Sequence, residues 1–307
     1  MKNQVKIWSP ATIANLNVGF DALGCALEAP GEEMIVRRTE DNGVVRIARI
    51  HGASLDLRAD RNVASIAAKS LLESLGNPCG LELEIHKSIQ PGSGIGSSAA
   101  SAAAAVVGVN ELLNAGLRPV ELIPYALDGE AFASGARHAD NVAPALLGGI
   151  ILSTPEGQVQ SIPIPTDWHV TVLHPQIEIR TSDARGVLPA QVDLNVAAQQ
   201  AAWFASFVSA CYEGDGSRAA LGLEDVMVGP HRAKLIPFFD EIREIARGGG
   251  ARAGGISGSG PSTFWISLNT EDAQSIRDAI ELFMRSKSMD FKLYSTRIAT
   301  QGAHLMP

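Results

Sequence analysis

Two apolar patterns of different period stand side by side near the middle of the chain. From Leu81 to Ile85 apolar and acidic side chains alternate, which gives a strand with one buried face. From Ser98 to Val107 the run is almost all alanine, the strongest intrinsic helix former. Between them Pro91, Gly92, Gly94 and Gly96 alternate with small residues, so the order predicted is strand, glycine-rich loop, helix. Elsewhere the pattern predicts strands at Val5 to Trp8, Met34 to Arg38 and Val44 to Ile50, the last two joined as a hairpin through Asp41-Asn42-Gly43. A helix capped by Asn62 runs to about Leu75, where Gly76-Asn77-Pro78 stops it. The next helix opens at Pro119 and carries Pro124 inside it, which predicts a kink or a restart. In the second half, strands are expected at Val170 to His174, Gln176 to Ile179, Thr263 to Leu268 and Leu293 to Ile298. Helices are expected at Ala197 to Cys211, Phe238 to Ala246 and Glu271 to Ser286. A cap at Thr181 or Ser182 would open a short helix with Arg185 near its first turn. Turn residues and prolines around Ser153 to Pro165 mark a boundary between domains 1–157 and 158–307, and the alternation beyond it suits an α+β sandwich.

The loop has a chemical use. The N–H groups of a helix's first turn, with the helix dipole behind them, form an anion site that glycines let a phosphate approach. Ser93, Ser97 and Ser98 add hydroxyls that can donate to phosphate or ligate Mg²⁺. The plainer alternative is a Gly/Ser turn that only caps the helix. A P-loop is excluded because Gly96 is followed by Ser97 and Ser98, not by Lys-[Ser/Thr]. A Rossmann reading lacks the acidic residue ending a second strand.

The 307 residues suggest about two domains, and 46% apolar with 19% charged residues is ordinary for a soluble enzyme. A net charge of −8 argues against a nucleic-acid partner and requires that any bound triphosphate be held by local backbone dipoles, a few basic residues and Mg²⁺. Cys25, Cys79 and Cys211 are too few and too far apart for a disulfide framework or a zinc site. With no signal peptide and no run of eighteen apolar residues, the expectation is a cytoplasmic protein without a membrane partner. A homodimer is compatible with the sequence.

Several polar residues interrupt apolar segments. Asn17 and Asp21 are four apart, and a helix over Val18 to Leu23 would put both on one face, unless Asn17 is simply a cap. Glu130 reads as a surface carboxylate or a metal ligand. The run His138 to Gly149 reads as a helix start capped by Asp140 or Asn141, or as part of a site. Arg185 reads as a solvated arginine on a short surface helix, or as one that could grip a carboxylate bidentately.

Four motifs carry a resemblance to the GHMP kinases and within them to the homoserine kinase branch. The glycine loop is similar to P-x-x-x-G-L-G-S-S-A, with Ile95 for leucine and the proline one place nearer the first glycine of G-I-G. Pro10 to Gly24 resembles P-A-T-S-A-N-L-G-P-G-F-D-x-L-G, departing at Ile13, Asn17 and Val18. His138 to Gly149 matches H-x-D-N-x-x-P-x-x-x-G-G throughout, and the string Gly248 to Trp265 resembles G-A-x-x-S-G-S-G-P-x-x-F. Shorter stretches around Arg185 and Arg232 resemble T-x-x-A-R-x-x-L-P and E-P-x-R-x-x-L-I-P.

The resemblance implies an α+β, two-domain GHMP kinase fold: an N-terminal ribosomal-protein-S5-domain-2-like domain and a C-terminal ferredoxin-like α/β sandwich. It implies ATP, Mg²⁺ and L-homoserine. Asn62, Lys87, Pro91, Gly92, Ser93, Gly94, Ile95, Gly96, Ser97, Ser98, Ala99, Ala100 and Ser259 would face the nucleotide, with Lys87 and Asn62 toward base and ribose. Ser98 and Glu130 would hold the metal. Asn17, Asp21, His138, Arg185, Arg232 and Gly258 would hold the amino acid, Asp21 at its ammonium. Asn141 and Arg185 would stand at the reacting centre. Asn141 occupies a place where several superfamily members have an aspartate base, and an amide cannot take a proton at neutral pH, so no side-chain base is expected. The alternatives are a GHMP-type kinase for a sugar, polyol or mevalonate-like acceptor, and a nucleotide-binding sensor without turnover.

Overall fold

The computed structural model describes residues 2–135 and 137–307. In chain order its elements are β1 (Gln4–Ala14), β2 (Leu23–Thr39), β3 (Val45–His51), α1 (Val63–Ser74), β4 (Gly80–His86), α2 (Ser97–Leu113), α3 (Pro119–Ser134), α4 (Ala139–Leu147), β5 (Ile150–Ser153) and β6 (Val159–Ile162). Then follow β7 (His169–Pro175), α5 (Thr181–Gly186), α6 (Leu194–Glu213), α7 (Gly216–Leu221), α8 (Gly229–Arg232), α9 (Phe239–Gly248), β8 (Ala253–Ile256), β9 (Thr263–Ser267), α10 (Thr270–Ser286), β10 (Phe291–Thr296) and β11 (His304–Leu305). Among the described residues no helix is long and apolar enough to cross a membrane.

The first sheet runs β11-β1-β2-β4-β3, with β5 also pairing β2 and β6 pairing β5. Its inward side chains, among them Ile7, Met34, Val36, Leu81, Leu83 and Ile85, pack against α1 to α4. Helix α2 lies in the middle of that layer, and the alanine run is what allows it. A Cβ on Gly108 would stand 2.4 Å from Val36, so small residues set how closely helix and sheet approach. The second sheet, β10-β7-β9-β8, is antiparallel throughout. Counted from β7 its order is 4-1-3-2, the ferredoxin-like arrangement, with α9 and α10 packed on Leu173 and Trp265.

Several expectations are corrected. The Asp41-Asn42-Gly43 turn is present, but β2 and β3 do not form a hairpin: β4 lies between them and pairs β3 in parallel. A turn signal fixes reversal of the chain, not which strand fills the adjacent place in the sheet. Gln176 to Ile179 is not a strand, since β7 ends at Pro175 and the chain turns away toward the cleft. Pro124 sits inside a continuous α3 rather than restarting it. Helix α5 is a single short element that follows Arg180 without a side-chain cap, and Arg185 lies in its last turn rather than its first. The first sheet keeps Val159–Ile162 and regains His304–Leu305, so the chain leaves that sheet after Ile162 and comes back to it at its end. Cys25, Cys79 and Cys211 are buried thiols.

Under the glycine loop lies a buried ion pair. Lys87 Nζ is 2.7 Å from Glu32 Oε2, with the two side chains 2% and 0% exposed. The same ammonium donates to Ser97 O at 2.8 Å and Ser101 Oγ at 2.9 Å, while Ser101 donates to Glu32 at 2.5 Å. A charge removed from water is tolerable only with its partners in place. Lys87→Met should therefore destabilise the protein by about 3–5 kcal/mol, because Glu32 is left buried and unpaired. The double variant with Glu32→Met should recover most of that loss in urea unfolding. Equal destabilisation of the single and double variants would show that the pair is not what matters there.

Candidate active site

The loop after β4 takes its shape from three glycines at positive φ, Gly92 (70°), Gly94 (79°) and Gly96 (71°), alternating with Ser93 and Ile95. Left-handed glycines alternating with other residues are the pattern from which anion-binding concavities are built, although Ser93 N itself donates to Gln90 O at 3.3 Å. The loop's carbonyls are taken: Ser93 O accepts from Ser262 N and Oγ, Gly94 O from Ser257 Oγ at 2.7 Å, and Ile95 O from Thr12 N. Side chains at Gly94 and Gly96 are excluded by contact as well as by φ, since a Cβ would meet Gly260 O at 2.4 Å or Thr12 Oγ1 at 1.9 Å. The loop and the start of α2 line a cleft of about 560 Å³, together with Asn62, Val63, Asp56 and the segment Glu178 to Ser182. That size accommodates a nucleotide.

A smaller cavity of about 80 Å³ adjoins it, lined by Asn15, Asp21, His138, Asp140, Arg185 and Arg232 among others. Glu130, Asn141, Thr181, Gly258 and Ser259 line both cavities. Arg185 grips Asp21 bidentately, Nη2 to Oδ1 at 2.8 Å and Nη1 to Oδ2 at 3.1 Å, and His138 Nε2 lies 3.8 Å from the same carboxylate. Arg232 is buried, donates to Ala184 O and Gly258 O, and is held below the usual arginine range by desolvation and then by Arg185. Both guanidiniums stand over the Phe20 ring, 5.6 Å and 5.2 Å from its centre. Such stacking favours cations over a ring face.

Two carboxyls at the junction are strongly perturbed. Burial pushes Glu130 up to about 7, against a hydrogen bond from Ser98 and the charge of Lys87. Burial also pushes Asp140 up to about 7, with repulsion from Asp21 and Glu130 adding to it. Asn141 Oδ1 accepts from Thr12 Oγ1 at 2.6 Å, which commits the oxygen and leaves the amide hydrogens for another acceptor.

The expected residues divide accordingly. Pro91, Gly92, Ser93, Gly94, Gly96, Ser97, Ser98, Asn62 and Ser259 line the larger cleft, while Asp21, His138, Arg185, Arg232 and Gly258 meet in the smaller one. Asn62 is also the cap of α1, accepting from Ala64 N at 3.0 Å. Ser97 spends its hydroxyl on Ile89 O, and Ile95, Ala99 and Ala100 turn their side chains into the core. Lys87 borders the cleft only along its stem: its ammonium is committed beneath the loop and does not reach a base or ribose.

Asn17 is not in the smaller cavity. It donates to Leu223 O at 2.8 Å and Gly254 O at 3.0 Å, and no helix spans Val18 to Leu23. Asn15, Leu16, Asn17 and Asp21 all have positive φ, so a tight turn replaces the helix, and Asn15 takes the place expected of Asn17. Asn15 accepts from Asp21 N at 3.1 Å and donates to Gly258 O at 3.3 Å, holding the turn against the second glycine-rich segment. The signal for Asn15 was its equal standing as a polar residue in an apolar run. Asp140 had appeared only as a cap and Thr181 likewise, and nothing in local pattern marks Thr12.

The family comparisons agree with this geometry. Residues 62–149 match the GHMP kinases N terminal domain and residues 207–286 the GHMP kinases C terminal domain. A homoserine kinase of Xanthomonas campestris pv. campestris (strain B100) is 40% identical over 306 residues, 99% of this chain and 94% of that protein. One from Chloroherpeton thalassium is 36% identical over 99% of both chains. The crystal structure of homoserine kinase from Cytophaga hutchinsonii superposes with a TM-score of 0.95 at 38% identity, covering 100% of this chain and 98% of that one. Matched end to end in sequence and in fold, the chain belongs to the homoserine kinase family of the GHMP kinases.

Proposed function

We propose that the chain transfers the γ-phosphoryl group of ATP to the side-chain hydroxyl of L-homoserine, giving ADP and O-phospho-L-homoserine on the route to threonine. The observation that carries this reading is the meeting of two unlike cavities at Asn141, Thr181 and Gly258, one lined by the glycine loop and the start of α2 and the other by fixed charges of both signs. The first suits a polyphosphate. The second suits a zwitterion and offers a sugar hydroxyl set little in return for desolvating its charges. Asp21 and Arg185, assigned to ammonium and carboxylate, neutralise each other until the substrate arrives. The amino acid exchanges that contact for two: its ammonium replaces Arg185 at Asp21, and its carboxylate takes Arg185 with Arg232 behind.

The hydroxyl oxygen attacks the γ-phosphorus, the bond to the β-phosphate oxygen breaks, and the hydroxyl proton passes to the transferred group or to solvent. The loop N–H groups and the Asn141 amide hold the reacting oxygens in line, which is most of what a loose transition state requires. Ser98 and Glu130 fit Mg²⁺: both offer hard oxygens, they touch each other, and the buried carboxylate is one whose ionised form a divalent cation would favour. When bound, the ion offsets the charge of the triphosphate.

An ADP-release assay across homoserine, galactose and mevalonate should show turnover with homoserine alone. Turnover restricted to another acceptor removes the assignment. Arg185→Ala and Arg232→Ala should each raise KM for homoserine by roughly 10- to 150-fold, the worth of a charged hydrogen bond. KM for ATP should stay within about threefold, and a shift confined to ATP would misplace both residues.

Asp140 tests the absence of a base. Asp140→Asn should lower kcat by less than about tenfold, whereas a fall of roughly 10²–10⁴ would mark a general base. The same residue bears on stability. Its carboxyl is raised from 3.8 to about 7, so between those values the folded protein keeps a proton that the unfolded chain has released. That contribution is fully present below 3.8 and is lost as pH rises through 7. Urea unfolding without ligands should show stability declining across this window and a shallower decline in Asp140→Asn, and identical slopes would exclude the residue as the cause.

A further inference from the structure

On the outer face of the first sheet, outside the lining of either cavity, His51, Glu84 and His86 converge. His51 Nε2 is 3.3 Å and His86 Nε2 3.1 Å from the same oxygen, Glu84 Oε1. The three ligand atoms lie within 4.8 Å of one another, and the two imidazoles stack at 4.4 Å between centroids. Glu84 and His86 share a face because they are two apart on β4. His51 reaches that face through an irregularity in β3. Val45 and Ile47 point inward, and strict alternation would send Arg49 and His51 inward too. The extra residue at Ala48 breaks the register between Ile47 and Arg49, so that Arg49 pairs Glu84 and His51 pairs His86, both outward.

From this we infer that His51, Glu84 and His86 form a surface site for a divalent late-transition-metal ion, zinc being the fitting choice, with a fourth position open to water. Bonds of about 2.05 Å in a tetrahedral zinc site put neighbouring ligand atoms roughly 3.3 Å apart, close to the two histidine–glutamate separations, and closing the site takes a turn of one partly exposed imidazole out of the stack so that both rings aim in-plane at the ion. Two imidazoles and one carboxylate suit zinc, whereas Mg²⁺ prefers oxygen alone. The carboxylate is also held in place from behind. Arg37 Nη2 takes Oε2 at 2.8 Å, leaving Oε1 to the histidines, and it keeps the acid below the usual carboxylate range.

The site would have a neighbour to act on. His51 O accepts from Lys87 N at 2.8 Å, and the chain after His51 supplies Asp56 and Asn62 to the nucleotide cleft. A metal clip there ties the end of β3 to β4 beside that segment.

The test is equilibrium dialysis and calorimetry of the full chain with Zn²⁺, with thermal unfolding in parallel. The wild type should bind one equivalent that raises the melting temperature and that acidification releases, because imidazoles ligate only when neutral. His51→Ala and His86→Ala, each replacing a partly exposed side chain outside the catalytic cleft, should weaken that binding at least about tenfold. Glu84→Gln should do the same. The cobalt(II)-loaded wild type gives a reading that needs no variant, since a four-coordinate visible spectrum supports the site. The inference is overturned if the wild type binds no Zn²⁺, if the histidine variants bind it unchanged, or if cobalt gives only the spectrum of the hydrated ion.

Discussion

The structure depends on how the carbonyl side of one loop is occupied. A glycine-rich turn left to itself samples many shapes, and ordering it has a large entropic cost. Here the main-chain oxygens of Ser93, Gly94 and Ile95 are bound from behind, two of them by serines of the C-terminal half and one by the backbone of β1. Beneath them the Lys87 ammonium takes the Ser97 oxygen inside a buried ion pair. With those oxygens bound from behind, the loop is held in one shape before an anion arrives. Both halves of the chain are needed for this. The second glycine segment matters as much for gripping the first as for anything it presents to a ligand.

Most of the fold was legible where local chemistry decides it. The alternation over Leu81 to Ile85, the glycines before α2 and the alanines within it all describe short-range physics, and β4, the loop and α2 follow in that order. Strand order was not legible from the turn at Asp41 to Gly43. β4 pairs β2 on one side and β3 on the other while Leu81, Leu83 and Ile85 are buried against the helical layer, a long-range choice. Likewise the return of β11 to β1 depends on two residues at the far end of the chain with no strand pattern of their own.

The site was legible as composition but less so as geometry. Charges suited to a zwitterion could be picked out around Asp21, Arg185 and Arg232, and they do converge. Their mutual pairing could not, because residues 164 positions apart meet only through the fold. Asn17 lies outside the smaller cavity for a conformational reason. A helix over Val18 to Leu23 would have aligned Asn17 with Asp21, but a run of left-handed residues points Asn17 at Leu223 and Gly254 instead. The weakened acidities of Glu130 and Asp140 come from burial, a property of the packed site.

The late return of the chain has a mechanical consequence. Because β6 leaves the first sheet for β7 and β10 leads back through Ile298 to β11, the two halves are joined by two covalent crossings, with a bridge from Leu27 to Ile298 beside the second. A body tethered at one point can swivel about any axis, whereas one tethered at two can turn only about the line through both. Even that turn is resisted here, because Ala11, Ile13, Trp168, Val170 and Phe264 share one buried cluster across the two halves.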